Sequence, residues 1–419
     1  MRINKLTSAL AIVGLATISG SALATDGYFS DGYGIIAKGM AGVGIAAPQD
    51  SIAAANNPAG MVLVGNRLDV GIDWFRPIRN ASITGNGGGA NGNYDGSDKK
   101  NFFIPEFGYN HMLNQNMSVG VSVYGNGGMN TSYTHPIPLF GTSNAGIDLA
   151  QLFIAPTFAM KLNQTNSLGV TLNFAYQRFK ATGLENFDNA SYSSAPGHVT
   201  NNGYDSSTGW GVKVGWIGQI TPNFSVGATY QSKTSMGKFD KYKGLFAEQG
   251  SFDIPENYGI GFSWNVNPQW TVAGDVKQIQ YNKVASVGNT VDCLFAGACQ
   301  LGTNNGAGFG WDNMTVYKLA VSFKQSSHLT LRAGYSANKQ PIPSSQTLFN
   351  MLAPAVSEEH LTLGATWDLG NNNAVNVAYM HAMDKSVNGA NSIPAAFGGG
   401  NANLKMYQDS LGASYSVKF

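Results

Sequence analysis

The chain has 419 residues, of which only 12% are charged, while 11% are aromatic and 53 are glycine. Soluble domains carry about 25% charged residues, so the composition argues against one and suits many turns, close-packed strands and aromatic girdles. A formal net charge of +1 leaves no global electrostatic pull toward nucleic acid.

Arg2 and Lys5 precede an apolar run from Leu6 to Ile18, and Ala22-Leu23-Ala24 then supplies the small-x-small pattern that a signal peptidase cuts. Residues 1–24 read as a removable export signal, whose loss takes the net charge to −1. The run is too short for a spanning helix, and no later stretch reaches the ~18–20 consecutive apolar residues that one needs. Residues 25–66 alternate poorly and are dense in small side chains. Such a segment can thread close to other backbone, as a chain entering a barrel lumen must.

From Arg67 onward period-2 runs recur, and their connections alternate between very short and long. Arg67–Ile78 sends Leu68, Val70, Ile72 and Trp74 one way and Asp69, Gly71 and Asp73 the other. After a long Gly/Asn loop, Asn101–His111 and Met117–Gly125 are joined by a tight turn, with Val119, Val121 and Val123 on the outer side of the second. Short turns also join Leu149–Leu162 to Ser167–Phe179, Thr208–Ile220 to Phe224–Ser232, and Phe252–Val266 to Gln269–Tyr281. They recur between Trp311–Lys324 and Leu329–Ser336, and between His360–Trp367 and Ala374–Met383. The last run, Met406–Phe419, puts Leu411, Ala413, Tyr415, Val417 and Phe419 on one side and small or polar residues on the other.

Fourteen runs make an all-β chain that closes as a 14-stranded antiparallel transmembrane β-barrel, with both ends on the periplasmic side and the long loops outside. A soluble β-sandwich also alternates, but it has no need of such regular short and long connections. Trp74, Tyr109, Trp210, Trp264, Trp270, Trp311 and Trp367 stand near run ends and read as interfacial belts. Cys293 and Cys299 lie in one loop of an exported chain and read as a local disulfide, since a metal site would need more ligands nearby. No GxSxG elbow or HExxH pair occurs, and the GxGxxG match at Gly87–Gly92 lies in a hydrophilic loop without a following helix. The chain therefore reads as neither an enzyme nor a cofactor-binding protein.

Two stretches carry a family likeness. Gly27–Ala46, GYFSDGYGIIAKGMAGVGIA, and Asp50–Met61, DSIAAANNPAGM, resemble the FadL-type outer-membrane transporters of long-chain fatty acids and hydrophobic hydrocarbons, with Asn57, Pro58 and Ala59 matching the family's Asn-Pro-Ala motif. The likeness extends through the fourteen runs to the terminal Phe419. It implies that residues 25–66 form a hatch plugging a barrel of residues 67–419. It also implies passive uptake across a Gram-negative outer membrane, with a ligand entering from an outer groove and leaving sideways where the third strand kinks. The partners implied are a hydrophobic small molecule and the lipid and lipopolysaccharide of that membrane, with a monomeric protein and no cofactor.

Gly125, Gly127 and Gly128 end the third run, where glycines weaken a strand ladder and allow a bulge or gap; an ordinary loop start is the alternative. Asn57-Pro58 alone also suits a simple turn. Ten charges fall on inward positions: Asp69, Asp73, Glu106, Lys161, Lys213, Asp275, Lys277, Lys318, Arg332 and Asp368. They are expected to pair with each other and with the hatch, while Lys213, Lys318 and Arg332 are the candidates for holding a ligand carboxylate. Leu139, Phe140, Leu245, Phe246, Leu348 and Phe349 lie in long loops and mark either an outer groove or a packed closure of the barrel mouth. A general porin and a surface adhesin or receptor barrel stand as alternatives, and the hatch-length segment weighs against an open porin.

Overall fold

The computed structural model describes residues 26–419; the expected export signal, 1–24, lies outside the described residues. Fourteen strands hydrogen-bond in sequence order into a closed antiparallel barrel. They are β1 (Arg67–Thr84), β2 (Phe102–Asn114), β3 (Met117–Ser132), β4 (Gly146–Lys161), β5 (Asn166–Thr182), β6 (Asp205–Thr221) and β7 (Phe224–Gln231). The second half comprises β8 (Asn257–Asn265), β9 (Trp270–Ile279), β10 (Met314–Lys324), β11 (Leu329–Asn338), β12 (Glu359–Gly370), β13 (Asn373–Val387) and β14 (Asn401–Lys418). Two short strands, Gly92–Asp95 and Ser235–Met236, pair with β1 and β6 respectively.

Closure is made by the longest ladder, in which β1 pairs β14 without a break from Arg67↔Lys418 to Thr84↔Asn401. The final residue completes it: the Phe419 amide donates to Asn66 O at 3.2 Å, and its ring stacks on Tyr109 at 5.9 Å between centroids. Alternation sets the two faces. Val70, Ile72, Ile154, Leu168, Val170, Leu172 and Phe174 are exposed on the outside, where lipid is their solvent. Their neighbours Asp69, Asp73, Ala155, Thr171 and Asn173 are buried toward the lumen.

Three readings of the sequence need correction. Trp311 is not interfacial: it is 1% exposed, and its indole N–H donates to Asn350 Oδ1 at 2.6 Å. The strand there begins only at Met314, and the strand placed from Phe252 begins at Asn257, after Pro255, which has no amide to give a ladder. Asp368, assigned to the lumen, is exposed next to a register shift between Asp368 and Gly370, which spoils the alternation there.

The lumen is filled by residues 26–66, almost all of them buried. The segment forms two short helices, Ile35–Lys38 and Met61–Val64, and two 3₁₀ turns, Ala53–Ala55 and Pro58–Gly60. Inward glycines of the wall make room for it. A Cβ built on Gly169 would lie 2.3 Å from the Pro58 carbonyl carbon, and one on Gly215 would lie 1.9 Å from Asn57 Oδ1. At these two positions any side chain would meet the segment's backbone or its central asparagine, so glycine is required by close approach.

Candidate functional site

Buried charges and amides tie the N-terminal segment to the wall all the way round. Asp69 accepts from the Ser51 amide at 2.9 Å and from Arg67 Nε at 2.8 Å. Glu106 accepts from the Ile35 amide at 2.9 Å, and Asp275 accepts from the Gly44 and Ile45 amides at 2.8 and 3.1 Å. Lys38 pairs with Asp73, and Lys318 pairs with Asp26 at 3.0 Å. Burial lifts the Asp31 carboxyl above its ordinary value, and the Lys38 and Lys318 ammoniums pull it part of the way back. Each charge is thus compensated, as a buried charge must be.

Asn57 makes four side-chain hydrogen bonds in this attachment. Its Oδ1 caps the Pro58–Gly60 turn by accepting from the Ala59 amide at 3.0 Å, with proline at the first turn position. Its Nδ2 donates to Ile45 O at 2.7 Å, to Trp216 O at 3.0 Å and to Ala228 O at 3.3 Å. One residue therefore joins the segment to itself and to β6 and β7.

Above the segment the long loops fold over the barrel mouth. Phe140, Phe179, Leu245, Phe246 and Phe349 converge from four parts of the chain on a recess of about 490 Å³, its open mouth included, lined almost entirely by apolar side chains. Leu139 and Leu348 are buried in the same hydrophobic cluster. From the recess, rings continue downward in contact: Phe246 to Phe252 at 4.9 Å, Phe252 to Tyr28 at 6.0 Å and Tyr28 to Phe29 at 5.3 Å. Tyr281 and Trp311 flank Tyr28 at 5.2 and 5.9 Å. The Lys277 ammonium lies 5.1 Å from the Phe29 ring and 5.8 Å from the Tyr33 ring, and Tyr33 meets Tyr124 of β3 at 4.9 Å.

Tyr124 stands at a break in the wall. Ladder pairing between β2 and β3 runs from Asn114↔Met117 only as far as Phe107↔Val123. Beyond it, Phe102–Glu106 pairs with β1 alone, while Asn126 forms a bulge between Gly125 and Gly127 in the β3–β4 register. The upper half of β3 bonds instead to the N-terminal segment: the Ser30 amide donates to Asn126 O at 3.2 Å and the Gly128 amide to Tyr28 O at 2.9 Å. The edges rejoin higher up, where the Ser132 amide donates to Gly96 O at 3.0 Å. A window bounded on all sides is left in the barrel wall.

A second, polar pocket of about 400 Å³, its open side included, lies beside the segment, bordered by Asp31, Asn56, Lys213, Asp275, Lys277 and Lys318 among others. Of the three cations singled out in the sequence, Lys213 and Lys318 do border it, but their ammoniums are taken by Ala55 O and by Asp31 O with Asp26. Arg332 donates to Thr366 Oγ1 at 2.7 Å and does not line the pocket. Lys277, expected to pair like the other inward charges and not singled out as a ligand contact, makes no hydrogen bond or ion pair among the described residues; its ammonium lies against two rings. The signal available was its place between Asp275 and the aromatic loop residues. Cys293 and Cys299 form a disulfide with an S–S distance of 2.00 Å in the loop between β9 and β10.

The family model described as outer membrane protein transport protein (OMPP1/FadL/TodX) matches residues 15–419. The Pseudomonas putida toluene transporter TodX superposes with a TM-score of 0.70 at 18% identity, covering 94% of this chain and 100% of its own. A Pseudomonas aeruginosa FadL homologue gives 0.72 at 15%, covering 94% and 100%, and the Ralstonia pickettii toluene transporter TbuX gives 0.64 at 16%, covering 93% and 99%. At these identities the structures speak for a shared fold. No curated protein sequence matches the chain. With the model match running across the whole barrel and the segment inside it, the chain belongs to the OMPP1/FadL/TodX family of outer-membrane transport proteins.

Proposed function

We propose that this protein carries hydrophobic molecules inward by passive diffusion, with residues 26–66 as the hatch, the loop recess as the entrance and the β2–β3 window as a lateral exit. The observation that carries this reading is the file of rings from Phe246 through Phe252 and Tyr28 to Phe29, which the Lys277 ammonium links to Tyr33 and so to Tyr124 at the window. An apolar solute moving along it exchanges one greasy wall for another, and passes the Lys277 ammonium between the Phe29 and Tyr33 rings. The buried segment occupies the lumen, which weighs against a general porin. TodX and TbuX are named as toluene transporters, so the same plan suits neutral hydrocarbons as well as fatty acids.

Deletion-strain cells expressing the protein should gain uptake of labelled oleate or toluene, while liposomes containing it should not swell in small sugars. Swelling without hydrophobic uptake would make it a porin; neither effect would favour a surface receptor.

Lys277 supports acidic amphiphiles within that class. Its ammonium has rings on two sides and no anion in hydrogen-bond contact, so a ligand carboxylate arriving along the file would complete it. Lys277→Met should weaken retention of a fatty acid by about tenfold, the scale of one charge-assisted hydrogen bond, and leave the matching alcohol unaffected. Equal loss for both ligands would remove Lys277 from carboxylate recognition.

A further inference from the structure

Outside the barrel, at its loop end, cations from two separate stretches of chain face a single recess. On β5, Gln177 and Phe179 point inward: Gln177 Nε2 donates to Phe252 O at 3.0 Å, and the Phe179 ring meets Phe246 at 4.6 Å. Alternation therefore puts Arg178 and Lys180 on the outer face, in line with the exposed Phe174 and Tyr176 below them. Tyr204 lies against both, with the Arg178 guanidinium 4.8 Å and the Lys180 ammonium 5.1 Å from its ring, and its hydroxyl donates to Asp148 Oδ2 at 2.7 Å. Across from them, Lys99 and Lys100 are exposed on the loop leading into β2. About 900 Å³ of space, its open side included, lies between Lys99 and Lys100 on one side and Arg178, Tyr204 and Asp148 on the other, with Lys180 behind Tyr204 rather than on the lining.

None of the four cations makes an ion pair among the described residues, and Arg178 Nε is a buried donor without an acceptor. Asp98 and Asp148 offset two of the four charges, which leaves a positive excess. Lower on the lipid-facing surface, Phe103 follows Phe102 on β2 and Trp210 of β6 stands opposite Phe174, 56% and 61% exposed. Cations above a shelf of exposed rings, at the height where strands give way to loops, match an amphiphile with anionic head and apolar tails. An acidic protein would leave the shelf unused.

We propose that this recess seats the phosphate groups of an outer-leaflet glycolipid, with its acyl chains resting on Phe103, Phe174 and Trp210. Arg178 would supply the directed donors, and Lys99, Lys100 and Lys180 the surrounding charge. This goes beyond the transport reading and does not depend on it.

Native mass spectrometry of the detergent-solubilised protein tests the idea, with bisphosphorylated lipid A, its dephosphorylated form and inorganic phosphate as probes. The parent should retain lipid A, while the K99Q/K100Q/R178Q variant and the dephosphorylated lipid should each bind at least about tenfold more weakly, as expected for lost charge-assisted contacts. K99Q/K100Q alone, altering only exposed side chains, should weaken it by a smaller factor. Lys405→Gln, at a rim position paired with Asp384, should behave as the parent, and inorganic phosphate should not compete. Parental retention by the triple variant, equal binding of the dephosphorylated lipid, equal loss in Lys405→Gln, or displacement by inorganic phosphate would each overturn the proposal.

Discussion

Replacing Asn57 by alanine should let small sugars into a barrel that otherwise excludes them, without unfolding it. The substitution removes a turn cap and three donated hydrogen bonds, those to Ile45 O, Trp216 O and Ala228 O. Losing a cap costs about 1 kcal/mol, and leaving buried carbonyl lone pairs unpaired adds about 1–2 kcal/mol. The fraction of molecules with a displaced hatch should then rise roughly 30- to 150-fold, at 1.4 kcal/mol per tenfold. The barrel itself keeps its β1–β14 seam and every other ladder, so heat-modifiable migration should persist. Gly215→Val drives at the same contact from the wall side, because its Cβ would sit on Asn57 Oδ1. Liposome swelling reads both variants, and two sealed barrels would show that the Asn57 contacts do not hold the hatch.

Deleting Asn126 should abolish hydrophobic uptake while leaving sugar exclusion intact. Asn126 is the extra residue of the β3 bulge, and without it Gly125 and Gly127 follow one another opposite Leu152 and Gln151. A β3 that continues straight lies against β2, where Phe102–Glu106 has unused ladder positions on that side. New interstrand bonds would then close the window, since unpaired backbone at membrane depth is costly. The deletion also removes contacts from Ser30 and Tyr33 to Asn126. Sugar exclusion therefore has to be measured in the same preparation, so that a closed window is distinguished from a loosened hatch. Parental uptake by a sealed, folded deletion variant would mean that the ligand leaves elsewhere.

The barrel could be read from the chain because its instructions are local. A lipid-facing strand needs an apolar residue at every second position, and a tight turn needs Asn, Pro or Gly within a few residues, so fourteen runs and their pairing order follow from neighbours in sequence. Strand ends were less legible. β1 continues to Thr84 and β14 starts at Asn401, both beyond the runs read from the sequence, because the ladder carries on through Asn80, Ser82, Asn401 and Asn403, where the outer face has left the lipid and alternation is no longer enforced. Trp311 was misplaced for a related reason: a tryptophan near a strand end suits an interface equally well until its partners, Tyr28 and Asn350, are known.

The interior of the site was the least legible part. Lys213, Lys277 and Lys318 all alternate inward in the sequence, and only the path of residues 26–66 decides that Lys213 and Lys318 are consumed by the segment's carbonyls while Lys277 is not. The window likewise depends on a missing pairing between β2 and β3. The glycines near Gly125 hinted at a weak ladder, but the bulge at Asn126 is set by the register against β4, and the bonds with Tyr28 and Ser30 that replace the ladder span nearly a hundred residues.

The claim that hydrophobic ligands pass sideways through this wall is tested most directly by photo-crosslinking. A fatty acid carrying a diazirine near its methyl end, irradiated during uptake, should label peptides spanning Phe102–Phe107 and Val123–Thr131, the two edges of the window. Labelling confined to the short turns at the opposite end of the barrel, with both edges unmarked, would contradict the account.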